Sequence, residues 1–355
     1  MNIKNSKIIL YGAGYCGAMF AELLQNKNVH PVCFFDKNPK KIGTKIMNLD
    51  VKYPCDNTEK DIVVIVCLLK QGSVYKQIRE ELKGIGYQNV LHIYDLKKEL
   101  SLFEGQNLII APDSDFVQKN ENKFLKMQDC LEDLESKELL KKIYQYLLGE
   151  NVVIPHYPME EQYFPYDIYT KIEDEFVVDC GAFKGDVLRI FQENNNGEFQ
   201  KYIAIEPDDA YLPLLNSYVS KEQGHRIEVL NCAISDKRET LYIRNYAQEN
   251  SVIKKDGEKE IEAFSLDELL DKRTCTFLKI DVEGYEKKVL SGASNMIRIQ
   301  RPVIAVAAYH KEQDFYELGE IIQNIYEGYK FYLRSYMNVQ ETILYAVPKW
   351  RLIKE

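Results

Sequence analysis

The stretch 176–185, FVVDCGAFKG, constrains this chain more than any other. A short apolar run, Phe176-Val177-Val178, ends at Asp179, a Cys-Gly-Ala turn follows, and Gly185 closes the loop where a helical pattern begins. A buried strand feeding a glycine-bearing turn and then a helix is the nucleoside- or phosphate-binding corner of a doubly wound α/β sheet. Gly181 and Gly185, with Ala182 between them, let backbone approach a ligand where a larger side chain would collide. A carboxylate at the strand end accepts hydrogen bonds from amino or hydroxyl groups.

The pattern then repeats. A strand at Lys201–Ile205 ends at Glu206-Pro207, and one at Ile227–Asn231 runs into Cys232-Ala233-Ile234-Ser235-Asp236. Thr276–Ile280 ends at Asp281-Val282-Glu283-Gly284, and Arg301–Ala308 ends at Tyr309-His310-Lys311. In a parallel sheet these ends share one edge, where ligands bind. Glu206 suits the two hydroxyls of a ribose, and the small apolar loop Ala233-Ile234-Ser235 suits a purine ring. A ligand with an amino acid moiety, a ribose and an adenine matches this spacing, and S-adenosylmethionine is such a ligand. Between these strands a polar loop is expected over 247–258, and Ser265 with Glu268 forms a capping box for a helix. Two last runs, Phe331–Tyr336 and Glu341–Val347, read as an antiparallel pair.

The first hundred residues carry a second glycine corner. Strand KIILY (7–11) leads into Gly12-Ala-Gly14-Tyr-Cys-Gly17, a helix to about Gln25, and a strand Val32–Phe35 ending at Asp36. This is the dinucleotide fingerprint in its proper context, with an acid roughly 20 residues on. Gly12 allows the tight turn, Gly14 the approach of a pyrophosphate, Gly17 close helix packing, and Asp36 would hold ribose hydroxyls. Further strands at Ile62–Leu68 and Val90–Tyr94 and a helix over 73–83 complete a Rossmann-like unit. It resembles N-terminal domains attached to sugar-modifying enzymes such as sugar acyltransferases and nucleotide-sugar dehydratases, which implies a nucleotide or nucleotide-sugar as its ligand; the alternative is a vestigial unit that no longer binds one.

Between the two corners a helical stripe runs through Leu134, Leu139, Leu140, Ile143, Tyr144, Leu147 and Leu148. A Pro- and Tyr-rich stretch, 154–165, reads as an ordered connector packed on the following domain. The expected organisation is therefore a Rossmann-like nucleotide-binding domain over 1–100, a helical linker over 101–165 and a second doubly wound domain over 166–355.

Bulk properties narrow the function. The formal net charge of −9 gives no basic excess for neutralising phosphates, so no nucleic-acid partner is expected. The eight cysteines form no CxxC pair and read as reduced thiols of a cytoplasmic protein. The five histidines lack metal-ligand spacing, so no metal centre is expected. No apolar run is long enough to span a bilayer, and the N-terminus lacks a secretory h-region. Self-association is left open.

Residues 162–347 resemble an FkbM-family methyltransferase. The resemblance rests on Gln162-Tyr-Phe-Pro, VVDCGAFKGD (177–186), AIEPD (204–208), NCAISD (231–236), FSLDELL (264–270), LKIDVEGYEKKVLSGA (278–293), Arg301-Pro302 and ETILYAV (341–347). It implies a class I methyltransferase fold with a terminal antiparallel strand pair, S-adenosylmethionine as donor, and O-methylation of a sugar, glycan or glycan precursor. The chain departs from the family at Phe183-Lys184, where Asn often stands, and in strand 303–308, where alanines stand near a frequent Glu.

The donor site expected on these grounds comprises Asp179, Gly181, Ala182, Gly185, Glu206, Pro207, Ala233, Ile234, Ser235 and Asp281. A sugar hydroxyl is a weak acid, so a base or metal must assist its attack. Asp281 and His310 are the candidate bases, with Glu283 beside them; the same carboxylates could instead hold a divalent cation. The enzyme alternative is an NAD(P)-dependent oxidoreductase or dehydratase using the Gly12–Gly17 loop, but no hydride-transfer partner is recognisable. The non-enzyme alternative is a nucleotide-sensing protein.

Overall fold

A computed structural model describes residues 3, 6–56, 59–68, 73–96, 114–150, 152–195, 197–219, 225–246, 250–253, 259–337 and 339–353. The expected domain boundary near residue 100 and much of the loop 247–258 lie outside the described residues. The chain divides into two compact units, Met1–Gln106 with Arg244–Val252, and Asn107–Ile243 with Ile253–Glu355.

In the first unit, β1 (Ile8–Tyr11), β2 (Cys33–Phe35), β3 (Lys45–Ile46), β4 (Leu49–Lys52), β5 (Val63–Val66) and β6 (Asn89–His92) form one sheet in the order β3-β4-β2-β1-β5-β6. All neighbours pair in parallel except β3 with β4. The central strands are apolar throughout because helices cover parallel sheets on both faces. The β3–β4 hairpin is absent from the sequence reading, although Met47 and Asn48 mark it. Both take positive φ, 48° and 63°, as a tight two-residue hairpin turn requires.

The second unit is built on a seven-stranded sheet. Its strands are β7 (Phe176–Cys180), β8 (Lys201–Ile205), β9 (Ile227–Leu230), β14 (Phe277–Ile280), β15 (Val303–Ala307), β16 (Tyr329–Met337) and β17 (Gln340–Pro348). The order is β16-β17-β15-β14-β7-β8-β9, with β17 antiparallel to both of its neighbours and the other pairs parallel. This is the expected α/β architecture with its closing antiparallel pair. Successive residues of each strand feed opposite faces. Val178, Ile203, Leu278 and Ile304 pack under helices that include Leu139, Ile143, Val289 and Phe315. Val177, Tyr202, Phe277 and Val303 pack under Phe164, Leu188 and Phe191.

Three local expectations change. Residues 250–253, placed in a polar loop, form strand β12 beside β11 (Glu239–Tyr246). Ala233–Ile234 is a short strand, β10, paired in parallel with β13 (Lys259–Phe264). Leu134 starts the helix Leu134–Leu147 but is 85% exposed, while Leu139, Leu140, Ile143 and Leu147 are buried. At the helix start Asp133 caps the Ser136 amide at 2.7 Å, which fixes the phase of the buried stripe and leaves Leu134 outside it.

A buried ion pair ties the chain end to the sheet. Arg351 donates to both oxygens of Glu175 at 3.0 and 2.8 Å, and its Nε donates to the Thr170 carbonyl at 2.7 Å. Removing one partner strands the other charge in the interior. Arg351→Met is expected to cost roughly 3–5 kcal/mol in urea unfolding; a loss below ~1 kcal/mol would show that the pair carries no such burden.

Candidate active site

The loop after β7 is held by its glycines. Gly181 has φ 83°, and a Cβ there would stand 1.8 Å from the Asp281 carbonyl oxygen. Its amide and that of Ala182 both donate to Ile205 O at 3.0 Å, fixing the loop against the end of β8. Gly185 has φ 85° and starts the helix Asp186–Asn194; a Cβ there would meet the Tyr218 ring at 2.7 Å. Ala182 is buried beside Leu188 and Phe191.

The acidic strand ends have separate roles. Asp179 is fully buried: Lys279 stands 2.9 Å from its Oδ1, and the Tyr202 hydroxyl donates to its Oδ2 at 2.6 Å. Register explains the pair, since Lys279 and Asp179 are partners on adjacent parallel strands. Burial opposes the Lys279 charge, but Asp179 and then Asp281 outweigh it, and its pKa is raised. Glu206 accepts from the Phe183 amide at 2.8 Å and the Asp208 amide at 2.9 Å. Burial pushes its carboxyl up to about 7 against those two hydrogen bonds. Asn231 holds the following backbone by donating to the carbonyls of Glu206 and Pro207.

A cavity of about 530 Å³ opens beside this loop, within the usual range for small-ligand sites. Gly181, Ala182, Phe183, Lys279, Asp281, Gln162, Tyr163 and Glu341 are on its wall. Asp281 Oδ2 accepts from the Tyr163 hydroxyl at 2.8 Å, and the Tyr309 hydroxyl stands 3.3 Å from both carboxylate oxygens. Burial raises both phenol pKa values, so they stay protonated donors. Gln162 donates to Glu341 Oε2 at 2.7 Å. Burial and then the nearby Asp281 push the Glu341 carboxyl up to about 7.

Behind Asp281 lies His310, with its side chain wholly inaccessible. Its Nδ1 is 3.1 Å from Glu286, and its Nε2 is 3.5 Å from Glu283 and 3.7 Å from Asp281. Burial disfavours its charge, but Glu286 and then Glu283 prevail and raise its pKa well above 6.5. Both ring nitrogens then carry protons. Asp281, Glu286 and His310 offer ligand atoms within 4.8 Å of one another. Glu286 Oε1, however, already accepts from the Val282 and Gly284 amides at 3.1 Å.

Backbone strain gathers at the same place. Tyr163, Phe183 and Glu341, all on the cavity wall, have φ of 69°, 49° and 66°, and Glu283 has 51°. Such conformations cost on the order of 1–3 kcal/mol each for residues with side chains, and they concentrate at functional sites.

The structure thus brings Gly181, Ala182 and Asp281 together on one cavity, with His310 and Glu283 behind Asp281. It leaves Asp179, Gly185, Glu206, Pro207, Ala233, Ile234 and Ser235 off that wall. Ala233 and Ile234 are buried in β10, and Ser235 donates to Glu239 at 2.5 Å. Gln162, Tyr163, Lys279, Tyr309 and Glu341 are site residues to which sequence reasoning assigned no role there. Gln162 and Glu341 open two of the short motifs quoted above, which is the one signal that could have flagged them.

In the first unit Gly12 has φ 108°, and a Cβ on Gly17 would stand 1.8 Å from Gly12 O. Asp36 accepts from the Ala13 and Asn38 amides, both at 2.8 Å, tying the glycine loop to the end of β2. Gly14 is roomier, with Lys41 Nζ 3.4 Å from the position of a Cβ.

The family described as "Methyltransferase FkbM domain" matches residues 179–331, and the one described as "C2185-like, N-terminal" matches residues 4–91. No curated protein matches the sequence. The crystal structure of the methyltransferase FkbM from Methylobacillus flagellatus KT shares the fold. It has a TM-score of 0.69 and 20% identity over 96% of this chain and 90% of that one. UDP-D-quinovosamine 4-dehydrogenase from Vibrio fischeri aligns at TM-score 0.22 and 25% identity, over 27% of this chain and 88% of its own. Precorrin-6y C5,15-methyltransferase from Geobacter metallireducens GS-15 aligns at TM-score 0.32 and 12% identity, over 50% and 83%. The C-terminal part of this chain, over residues 179–331, is a methyltransferase domain of the FkbM family.

Proposed function

We propose that the protein is an S-adenosylmethionine-dependent O-methyltransferase acting on a hydroxyl of a sugar, glycan or glycan precursor. The observation that carries this reading is the cavity at the end of β7 and β14, where the glycine loop meets Asp281. The residues present fit the donor: the wall carries Asp281 and Glu341, carboxylates suited to a cationic ligand, and the volume suits a small molecule. Gly181 and Ala182 would border its amino acid end, and Glu206, once turned from the loop amides, would take ribose hydroxyls.

Bound there, S-adenosylmethionine supplies an electrophilic methyl group. The protein's own task is alignment and proton removal. Asp281, fixed by the Tyr163 and Tyr309 hydroxyls, would orient the acceptor by accepting a hydrogen bond from a hydroxyl beside the one that is methylated. Positioning of this kind is worth up to roughly 7–11 kcal/mol of barrier. His310 compensates the carboxylates around Asp281 as an imidazolium and, protonated on both nitrogens, has no lone pair for a proton. The Gly12–Gly17 loop with Lys41 nearby would serve the phosphates of a nucleotide or nucleotide-sugar.

Mass spectrometry of glycans from a deletion strain tests the acceptor class. Loss of one O-methyl group supports the proposal, and an unchanged methylation profile contradicts a glycan acceptor. Lipid and protein fractions from the same strain would then be compared.

A further inference from the structure

The acceptor proton still needs a destination. We propose that Glu341 receives it: the carboxylate set into the cavity at the start of β17 is the general base, and the positive charge of the arriving donor arms it. This inference rests on the methyl-transfer reading above.

Four observations converge on Glu341. It lies on the cavity wall with Asp281. Its backbone is held at φ 66°, an arrangement that a β-strand does not need for its own sake. Its hydrogen bond comes from a neutral amide, Gln162 Nε2, and among the described residues no cation pairs directly with the carboxylate. The carboxyl is also pushed up to about 7 by burial and Asp281, with Glu283 acting the same way and Gln162 and His310 acting against. Tyr163 and Tyr309, which also face the cluster, are protonated phenols that donate to Asp281. Of the charged groups on the wall, Lys279 is paired with Asp179 and Arg189 with Glu193, and Glu160 and Asp186 are further carboxylates. Asp281 therefore has donors to orient it, His310 has no free lone pair, and Glu341 is the group whose proton is poised to leave or return near neutrality.

A sulfonium entering this cavity brings a positive charge close to a half-protonated carboxyl and favours its ionised form. The base is then unprotonated when the donor is present. In the transfer, the acceptor O–H bond breaks and its proton goes to a Glu341 carboxylate oxygen. The oxygen–carbon bond forms as the sulfur–carbon bond breaks, and the electron pair of that bond stays on sulfur.

Calorimetry of the full-length protein at pH 7, in buffers of different ionisation enthalpy, tests the arming step. S-adenosylmethionine binding is expected to release about half a proton, as a carboxyl titrating near the working pH must. S-adenosylhomocysteine, which lacks the sulfonium charge, is expected to release less. Glu341→Gln preserves the contact with Gln162 and is expected to remove the difference in proton release between the two ligands and to weaken S-adenosylmethionine more than S-adenosylhomocysteine, because a carboxylate that ionises on binding also favours binding. With glycan from the deletion strain as acceptor and a tritiated methyl donor, Glu341→Gln is expected to slow transfer by roughly 10²–10⁴-fold. Binding with no Glu341-dependent proton release, or transfer within threefold of the unmodified protein, overturns the assignment of Glu341 and leaves methyl transfer standing. Failure of both ligands to bind overturns methyl transfer itself, and this inference with it.

Discussion

Gly181→Ala is expected to abolish donor binding and to lower stability by roughly 2–5 kcal/mol. Two separate costs add at this position. The φ of 83° disfavours any side chain, and the new methyl would stand 1.8 Å from the Asp281 carbonyl oxygen, where backbone rather than a pliable side chain is in the way. Relief requires the loop to leave β14, which breaks the contact that sets Asp281 beside the loop. The same displacement disturbs Lys279, which donates to the Gly181 carbonyl at 2.5 Å while pairing with Asp179. Chemical unfolding together with a ligand titration checks both effects. A variant of near-native stability that binds the donor normally would show that the close approach of the loop to β14 is dispensable.

His310→Ala should cost about 3–5 kcal/mol, because it leaves Glu286 buried without its counter-charge. The pH dependence identifies the cause. The folded pKa of His310 lies well above its unfolded value near 6.5. Its stabilisation is therefore fully present below about pH 6.5 and declines as pH rises through the higher folded value. Glu206, Glu341 and Asp314, which is buried at the start of the helix Asp314–Ile325, are each raised to about 7 and act in the same direction: folding favours their protonated forms, so stability declines as pH rises from about 4 through 7. The protein is thus expected to unfold more readily at pH 9 than at pH 6. His310→Ala should lose its own share of that slope, and acid should lessen its defect by protonating Glu286. A variant destabilised equally at every pH would point to lost packing volume rather than lost charge.

The sheet of the second unit was legible because its strands end in Asp179, Glu206, Asp236, Asp281 and His310 at recurring places, and a parallel sheet collects such ends on one edge. What each end does was not legible. Asp179 reads in sequence as a ligand-facing acid, yet the register of β7 against β14 sets Lys279 beside it. A lysine inside an apolar strand gives no hint of which neighbour it will meet. Ala233-Ile234-Ser235 reads as a loop because two residues are too few to show a strand period, but pairing with β13 makes it β10. Glu341 comes from the antiparallel pair that closes the sheet, remote in sequence from the glycine loop. Only the pairing of β17 with β15, and the contact with Gln162, bring it to the cavity. The cluster of positive φ at Tyr163, Phe183, Glu283 and Glu341 is likewise invisible in sequence, since none is Gly, Asn or Asp. In the first unit the fingerprint itself was readable, including the third glycine, whose Cβ would strike Gly12.

On the proposed reading the second unit, through the loop after β7, holds the methyl donor. Titration calorimetry with S-adenosylhomocysteine on the full chain, on Glu206→Ala and on Gly14→Val tests it most directly, with thermal unfolding confirming that each variant is folded. Binding to the unmodified protein and to Gly14→Val, with loss in Glu206→Ala, is the predicted result. Binding that survives Glu206→Ala but vanishes in Gly14→Val would move the site to the first unit, and absence of binding at millimolar ligand would contradict the account altogether.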